Sequence, residues 1–205
     1  MTAADTVTDR TIDTHSGAVM ARISTIRVHV PVVEETPSDP VALAPRADVG
    51  PGARLLLVDN GKPKAKDLLL HLAEQLRDRL PIGSVDVESK PSAAAPLEEE
   101  QVAVLAGRAD FVVTGLGDCG ACSACSLQDA LLFERAGVPA TVLITEVFTS
   151  HVARFAANLG APGYHSLVVP HPVATKSDEQ LRQFASAIAD AAREQVAATA
   201  LVKTG

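Results

Sequence analysis

The chain has no tryptophan, one tyrosine and five phenylalanines in 205 residues. With so few rings there is almost no platform on which single-stranded bases could stack. A basic excess is missing too: 18 Lys and Arg stand against 25 Asp and Glu, a net charge of −7. That balance argues against a phosphate backbone as partner, so no nucleic acid is expected. No apolar run approaches the ~18 residues of a membrane-spanning helix, and no membrane is expected. The opening residues, Met1 to Asp13, are polar and acidic rather than basic and then apolar. They do not read as a signal peptide, and a cytoplasmic location is expected. Cysteine is scarce, with three residues, all between Cys119 and Cys125, which excludes a disulfide-stapled scaffold. Two phosphate-binding patterns are absent as well. No Gly-x4-Gly-Lys-Ser/Thr loop occurs, and Gly115-Leu-Gly117 lacks the third glycine of a dinucleotide fingerprint.

What remains is an ordinary globular composition, 47% hydrophobic and 21% charged, rich in Ala, Val and Leu. Residues 1–50 read as an extended, proline-punctuated arm carrying at most one short strand, Ile23 to Val33. Such an arm is expected to join a homo-oligomer or a hetero-complex. Residues 51–205 read as an α/β domain. Short apolar runs at Arg54–Asp59, Ser84–Glu88, Asp110–Thr114, Ala140–Thr145 and His165–Val169 alternate with helical periods. Leu69, Leu72, Leu76 and Leu80 mark the first helix, and Leu181, Phe184, Ile188 and Ala192 the last. Ser126 with Asp129, and Ser177 with Gln180, match capping boxes and predict helix starts there. This rhythm predicts a doubly wound, mainly parallel five-stranded sheet, flavodoxin- or Rossmann-like, with an N-terminal arm.

In such sheets the ligand crevice lies outside the carboxyl ends of the strands. Asp59, Asn60 and Lys62 follow the first strand there, and Thr114, Asp118 and the three cysteines the third. Glu146 follows the fourth, and His171, set between two prolines, the fifth. Cys119, Cys122 and Cys125 stand at i, i+3 and i+6 with only Gly, Ala and Ser between them. A helix beginning just after them would favour thiolate over thiol. Two chemistries fit the spacing. In one, a thiolate attacks and a neighbour resolves the adduct as a disulfide. In the other, Cys119, Cys122 and Cys125 ligate a metal ion or an iron–sulfur cluster, with His151 or His171 available to complete the set. Asp118, Glu146 and His171 are candidates for proton transfer; Asp59, Asn60, Lys62 and Thr114 for binding the substrate. Asn60-Gly61 also serves as a plain turn pair.

Asp59-Asn-Gly-Lys-Pro63 together with Gly115-Leu-Gly-Asp-Cys-Gly-Ala-Cys-Ser-Ala-Cys125 resembles the UGSC family, named for a Sec-Gly-Ser-Cys motif. Its first position is selenocysteine or cysteine; here it is Cys119, with Ala121 where the name has serine. More distantly, the three cysteines followed by Glu134-Arg-Ala-Gly-Val-Pro139 are similar to the selenoprotein B subunit of glycine, sarcosine and betaine reductases. The resemblance implies Cys119 as the reactive position and Cys122 or Cys125 as resolving or ligand thiols. It also implies reductive or lyase-type chemistry.

The expectation is therefore a thiol-dependent enzyme, an oxidoreductase acting on a small carboxylate-bearing substrate and needing no certain cofactor. A lyase or hydratase using zinc, copper(I) or an iron–sulfur cluster is the alternative, and a non-catalytic subunit supporting a partner enzyme is a third reading.

Overall fold

The computed structural model describes residues 39–198, all within one compact unit. The strand expected at 23–33, and the arm before Asp39, lie outside the described residues.

Five strands and five helices alternate: β1 (Ala53–Asp59), α1 (Ala65–Arg77), β2 (Ile82–Ser89), α2 (Glu99–Ala106), β3 (Phe111–Gly117), α3 (Gly120–Arg135), β4 (Ala140–Thr145), α4 (Thr149–Asn158), β5 (Ser166–Val169) and α5 (Asp178–Val196). A single 3-10 turn, Glu146–Phe148, leads into α4. All neighbouring strands are parallel, in the order β2-β1-β3-β4-β5. This is the doubly wound α/β order of flavodoxin-like folds, with its topological switch point between β1 and β3.

Alternation along each strand builds two cores. Leu55 and Leu57 of β1 face one side, where α1 and α5 cover them with Leu68, Leu69, Leu72, Leu181 and Ile188. Leu56 and Val58 face the other, against Leu127, Phe133, Val152 and the remaining helices. Because both faces are covered, the central strands read as unbroken apolar runs in sequence. β3 is buried along its whole length and extends past Thr114 to Gly117. A side chain at Gly117 would collide with Ile144 Cγ2 at 2.7 Å and Ser123 Oγ at 2.8 Å, so only glycine lets α3 start this close to the sheet.

Residues 39–50 have no regular structure but lie on the α/β unit itself. Val41 N–H donates to Gly160 O at 2.8 Å, and Ala44 N–H to Glu134 Oε2 at 2.7 Å. Glu134, 1% exposed at the end of α3, also takes the Arg46 guanidinium at 2.6 and 2.8 Å and Ala140 N–H at 2.9 Å. A buried carboxylate thus ties this stretch to α3 and to the start of β4.

The start of α3 differs from the expectation. The helix begins at Gly120, so Ser126 is an interior, buried residue rather than a cap. Asp129 lies buried on Lys90 Nζ and accepts Leu97 N–H at 2.7 Å. The residue types of a capping box are present, but tertiary contacts take them both.

Candidate functional site

The chain leaves β3 at Gly117, turns through Asp118 and enters α3, whose N-cap is Cys119. Cys119 has extended backbone, φ −153° and ψ 167°, so its sulfur swings back over the first turn. Cys119 Sγ accepts the Cys122 N–H at 3.2 Å. In return, Cys122 Sγ accepts the Cys119 N–H at 2.8 Å and the Asp118 N–H at 3.2 Å, and donates to the Cys119 carbonyl at 3.2 Å. Two thiols therefore take the roles that Ser and Glu play in an ordinary capping box. Cys122 is fully buried, whereas Cys119 and Cys125 are half-buried and all three are free.

This arrangement separates the acidities of the pair. Burial pushes the Cys119 thiol up, but hydrogen bonds from the Cys122 side chain and backbone, with the Lys62 charge and hydrogen bond, outweigh it. Cys119 is held below its ordinary value. Burial first, and then Cys119, push Cys122 up to about 11. Burial likewise raises Cys125, which lies within reach of the Lys90 and Asp129 charges. The pair is thus split, with Cys119 the more acidic thiol and Cys122 the less acidic one beside it.

Asp118 joins these thiols to a second cluster. Its backbone N–H serves Cys122, while its carboxylate faces His171, with Oδ1 3.0 Å from Nδ1. The approach is within ion-pair distance but off the hydrogen-bond line, so this buried oxygen has no directed donor. His171 Nδ1 is also 3.1 Å from Thr145 Oγ1, and Thr145 gives its own proton to Gly117 O at 3.3 Å. With the Thr145 proton on Gly117 O, the contact is completed when His171 Nδ1 is the donor to Thr145 Oγ1. Glu146 Oε1 accepts the His171 backbone N–H at 3.4 Å, and Phe148 meets the imidazole edge-on at 6.0 Å. His151 reaches the start of α3 from α4, with Nε2 3.1 Å from Gly120 O.

The sequence-derived substrate residues divide. Lys62 is half-buried and acts on Cys119. Asp59, Asn60 and Thr114 are 5%, 2% and 0% exposed and already hydrogen-bonded. Asp59 accepts Gly61 N–H and Ser89 Oγ; Asn60 donates to Leu116 O and Ser126 Oγ; Thr114 donates to Ser126 O. These three hold the strand ends together beneath the crevice. For the metal reading of Cys119, Cys122 and Cys125, no group of three or more His, Cys, Asp or Glu among the described residues is placed to hold a metal ion, and Cys122 Sγ is turned onto the Asp118 and Cys119 N–H groups. Thr145 and the Lys90–Asp129 pair were not singled out from sequence, because a threonine inside a strand and a charge 39 residues from its partner carry no local signal.

The two cavities of note lie elsewhere. One, of about 750 Å³, is bounded by Pro40, Val41, Ala140 and Tyr164; the other, of about 550 Å³, by Pro51, Ala53, Asp110 and Pro139. Both sit at the amino ends of the strands, whereas the thiols follow the carboxyl end of β3.

With this geometry in hand, comparison with known proteins is decisive at one level: the model of the UGSC family matches residues 27–198. The chain belongs to the UGSC family. The match spans β1 to α5, so it takes in both the Asp59–Lys62 turn and the Cys119–Cys125 segment of this UGSC chain. No protein of curated function matches it. Among solved structures it is similar to a diflavin flavoprotein A3 from Nostoc sp., at 18% identity over 71% of this chain and 94% of that one, TM-score 0.38. A flavodoxin-like domain from Synechococcus sp. is similar at 11% identity over 67% and 96%, TM-score 0.35. A short-chain flavodoxin associated with a non-canonical PDU bacterial microcompartment is similar at 14% identity over 70% and 99%, TM-score 0.34. Among the described residues of this UGSC chain, no helix is long and apolar enough to cross a membrane.

Proposed function

We propose that this UGSC-family chain is a thiol-dependent enzyme that reductively cleaves a small carboxylate-bearing substrate, with Cys119 as nucleophile and Cys122 as resolving thiol. One observation carries the reading: Cys119 caps α3 with its sulfur on the Cys122 N–H, beside Lys62, while Cys122 is held protonated next to it. A helix N-terminus, a lysine and a neighbouring thiol donor are the three aids that make a thiolate at neutral pH.

The chemistry balances with the dithiol as sole reductant. Cys119 thiolate bonds to a substrate carbon, and the leaving group departs with the electrons of the broken bond, taking a proton. Cys122 then attacks the Cys119 sulfur. The carbon–sulfur electrons return to carbon, which is protonated, and a Cys119–Cys122 disulfide remains. Helix geometry sets residues three apart at a Cα separation of about 5 Å, inside the range a disulfide spans. A carbonyl next to the attacked carbon would stabilise the charge it carries in the second step. His171, oriented by Thr145 and Asp118, supplies the proton for the leaving group, with Glu146 fixing its backbone. Lys62 offsets the negative charge of thiolate and substrate.

The test is the pH profile of iodoacetamide alkylation in reduced, metal-free protein, with the site of modification located by mass. Cys119 should react first, with a midpoint below about 8.5, the ordinary thiol value. Protection of Cys119 throughout that range overturns the proposal.

A further inference from the structure

A disulfide left at Cys119 and Cys122 must be reduced before the site works again, and the two sulfurs are not equivalent to an incoming reagent. Cys122 is fully buried, under the β3–α3 turn, while Cys119 is only half-buried. Thiol–disulfide exchange requires the attacking thiolate to reach one sulfur and the other to leave. From solvent, only the Cys119 sulfur offers a line of approach.

The leaving side is also prepared. Cys122 Sγ rests on the Asp118 N–H at 3.2 Å and the Cys119 N–H at 2.8 Å. Two fixed backbone donors aimed at a sulfur act on a departing thiolate as an oxyanion hole acts on a developing alkoxide. The same two groups serve during turnover, when Cys122 must lose its proton to attack. The Cys119 thiolate, one of the influences that hold the Cys122 proton in place, is consumed when the adduct forms. Adduct formation thus removes the Cys119 share of what holds that proton, while burial, the larger cause, stays and the Asp118 N–H continues to favour the thiolate.

We propose that this chain stands between its substrate and an external dithiol reductant, and that the reductant attacks the sulfur of Cys119, with Cys122 leaving onto the amides of Asp118 and Cys119. One thiolate of the reductant bonds to Cys119 Sγ and the Cys119–Cys122 bond breaks, its electrons going to Cys122. The second thiol of the reductant then attacks its own mixed disulfide, freeing Cys119 and leaving the reductant as a cyclic disulfide. Two electrons pass to the protein, the proton of the reductant's second thiol ends on Cys122, and Cys119 is returned as the thiolate. This inference rests on the thiol-dependent reading above and adds the direction of electron entry. Cys125, half-exposed and beyond Cys122 on α3, takes no part in it.

Exchange with a small disulfide probe reads the preference directly. Oxidised glutathione is incubated with the full-length reduced protein and with its Cys119→Ser, Cys122→Ser and Cys125→Ser variants. Adducts are located within the tryptic peptide 109–135, which holds all three cysteines and no internal Lys or Arg. The Cys122→Ser variant should accumulate a glutathione adduct on Cys119, formed at least about tenfold faster than any adduct on Cys122 in Cys119→Ser. Wild type and Cys125→Ser should instead pass to the internal Cys119–Cys122 disulfide and release the glutathione. Equal labelling of Cys122 in Cys119→Ser, or a dominant adduct on Cys125, overturns the inference even where Cys119 alkylates as the enzyme reading requires. Absence of any adduct in variants with native circular dichroism overturns it as well. Failure of the alkylation profile itself removes the enzyme reading, so the two outcomes are separable.

Discussion

At Cys119, burial and hydrogen bonding pull in opposite directions, and the outcome depends on two neighbours that mutation can address separately. Lys62 lowers the thiol by charge and by hydrogen bond, and Cys122 lowers it through its side chain and its backbone N–H. A group whose acidity is increased in this way is ionised at lower pH than a free thiol, so removing either neighbour moves the reactive form to higher pH. Lys62→Gln should shift the alkylation midpoint of Cys119 upward and slow alkylation at pH 7 several-fold. Cys122→Ala should do the same, whereas Cys122→Ser, which keeps a side-chain donor, should recover part of the loss. An unchanged midpoint in Lys62→Gln would mean that the ammonium does not act on this sulfur. His171 has a similarly dissectable environment: Thr145→Val removes the hydroxyl next to Nδ1 and should alter the pH dependence of turnover while Cys119 alkylates normally.

Elements meet at this site through buried polar pairs. Lys90, just past β2, and Asp129, inside α3, are 2% and 1% exposed, and Asp129 also takes the Leu97 N–H. Removing one partner strands the other in the core. Asp129→Asn should cost about 3–5 kcal/mol in urea unfolding, and the double change Lys90→Met with Asp129→Leu should recover much of it. If Asp129→Asn proves neutral, the pair is more solvated than its burial indicates. These pairs also explain what could and could not be read in the sequence. The strands announce themselves as apolar runs such as Leu55 to Val58, because both sheet faces are covered. The strand-end rule then reaches Lys62, Asp118, Cys119 and His171 without a structure. It equally selects Asp59, Asn60 and Thr114, whose polar groups tie strand ends together, because residue type alone does not separate a ligand contact from a structural tie. The start of α3 was misplaced for a related reason. Its cap is a thiol, outside the usual Ser, Thr, Asp and Asn, while Ser126 and Asp129 imitate a cap and are held instead by Asn60 and Lys90.

Among the described residues, the candidate site and the buried Glu134 tie occupy opposite ends of the sheet. The thiols, Lys62 and His171 gather at the carboxyl ends of the strands. Glu134, Arg46 and the stretch 39–50 brace the amino ends, with the two cores between. A buried ionic tie at one end and sulfur chemistry at the other should therefore fail independently. Glu134→Ala leaves the Ala44 and Ala140 N–H groups and the Arg46 guanidinium without their acceptor. It should destabilise by about 3–5 kcal/mol while leaving the Cys119 alkylation midpoint unchanged under native conditions. Replacing all three cysteines by serine should do the reverse. Thiol reactivity disappears, and Tm shifts by no more than about 6 °C, since each serine keeps the polar contacts of the sulfur it replaces and ~1 kcal/mol moves a domain of this size by about 2–4 °C. Thermal melts of the two variants, read beside their alkylation, check the division. A triple variant that unfolds at room temperature would show instead that the sulfur-capped turn is part of what holds the sheet together.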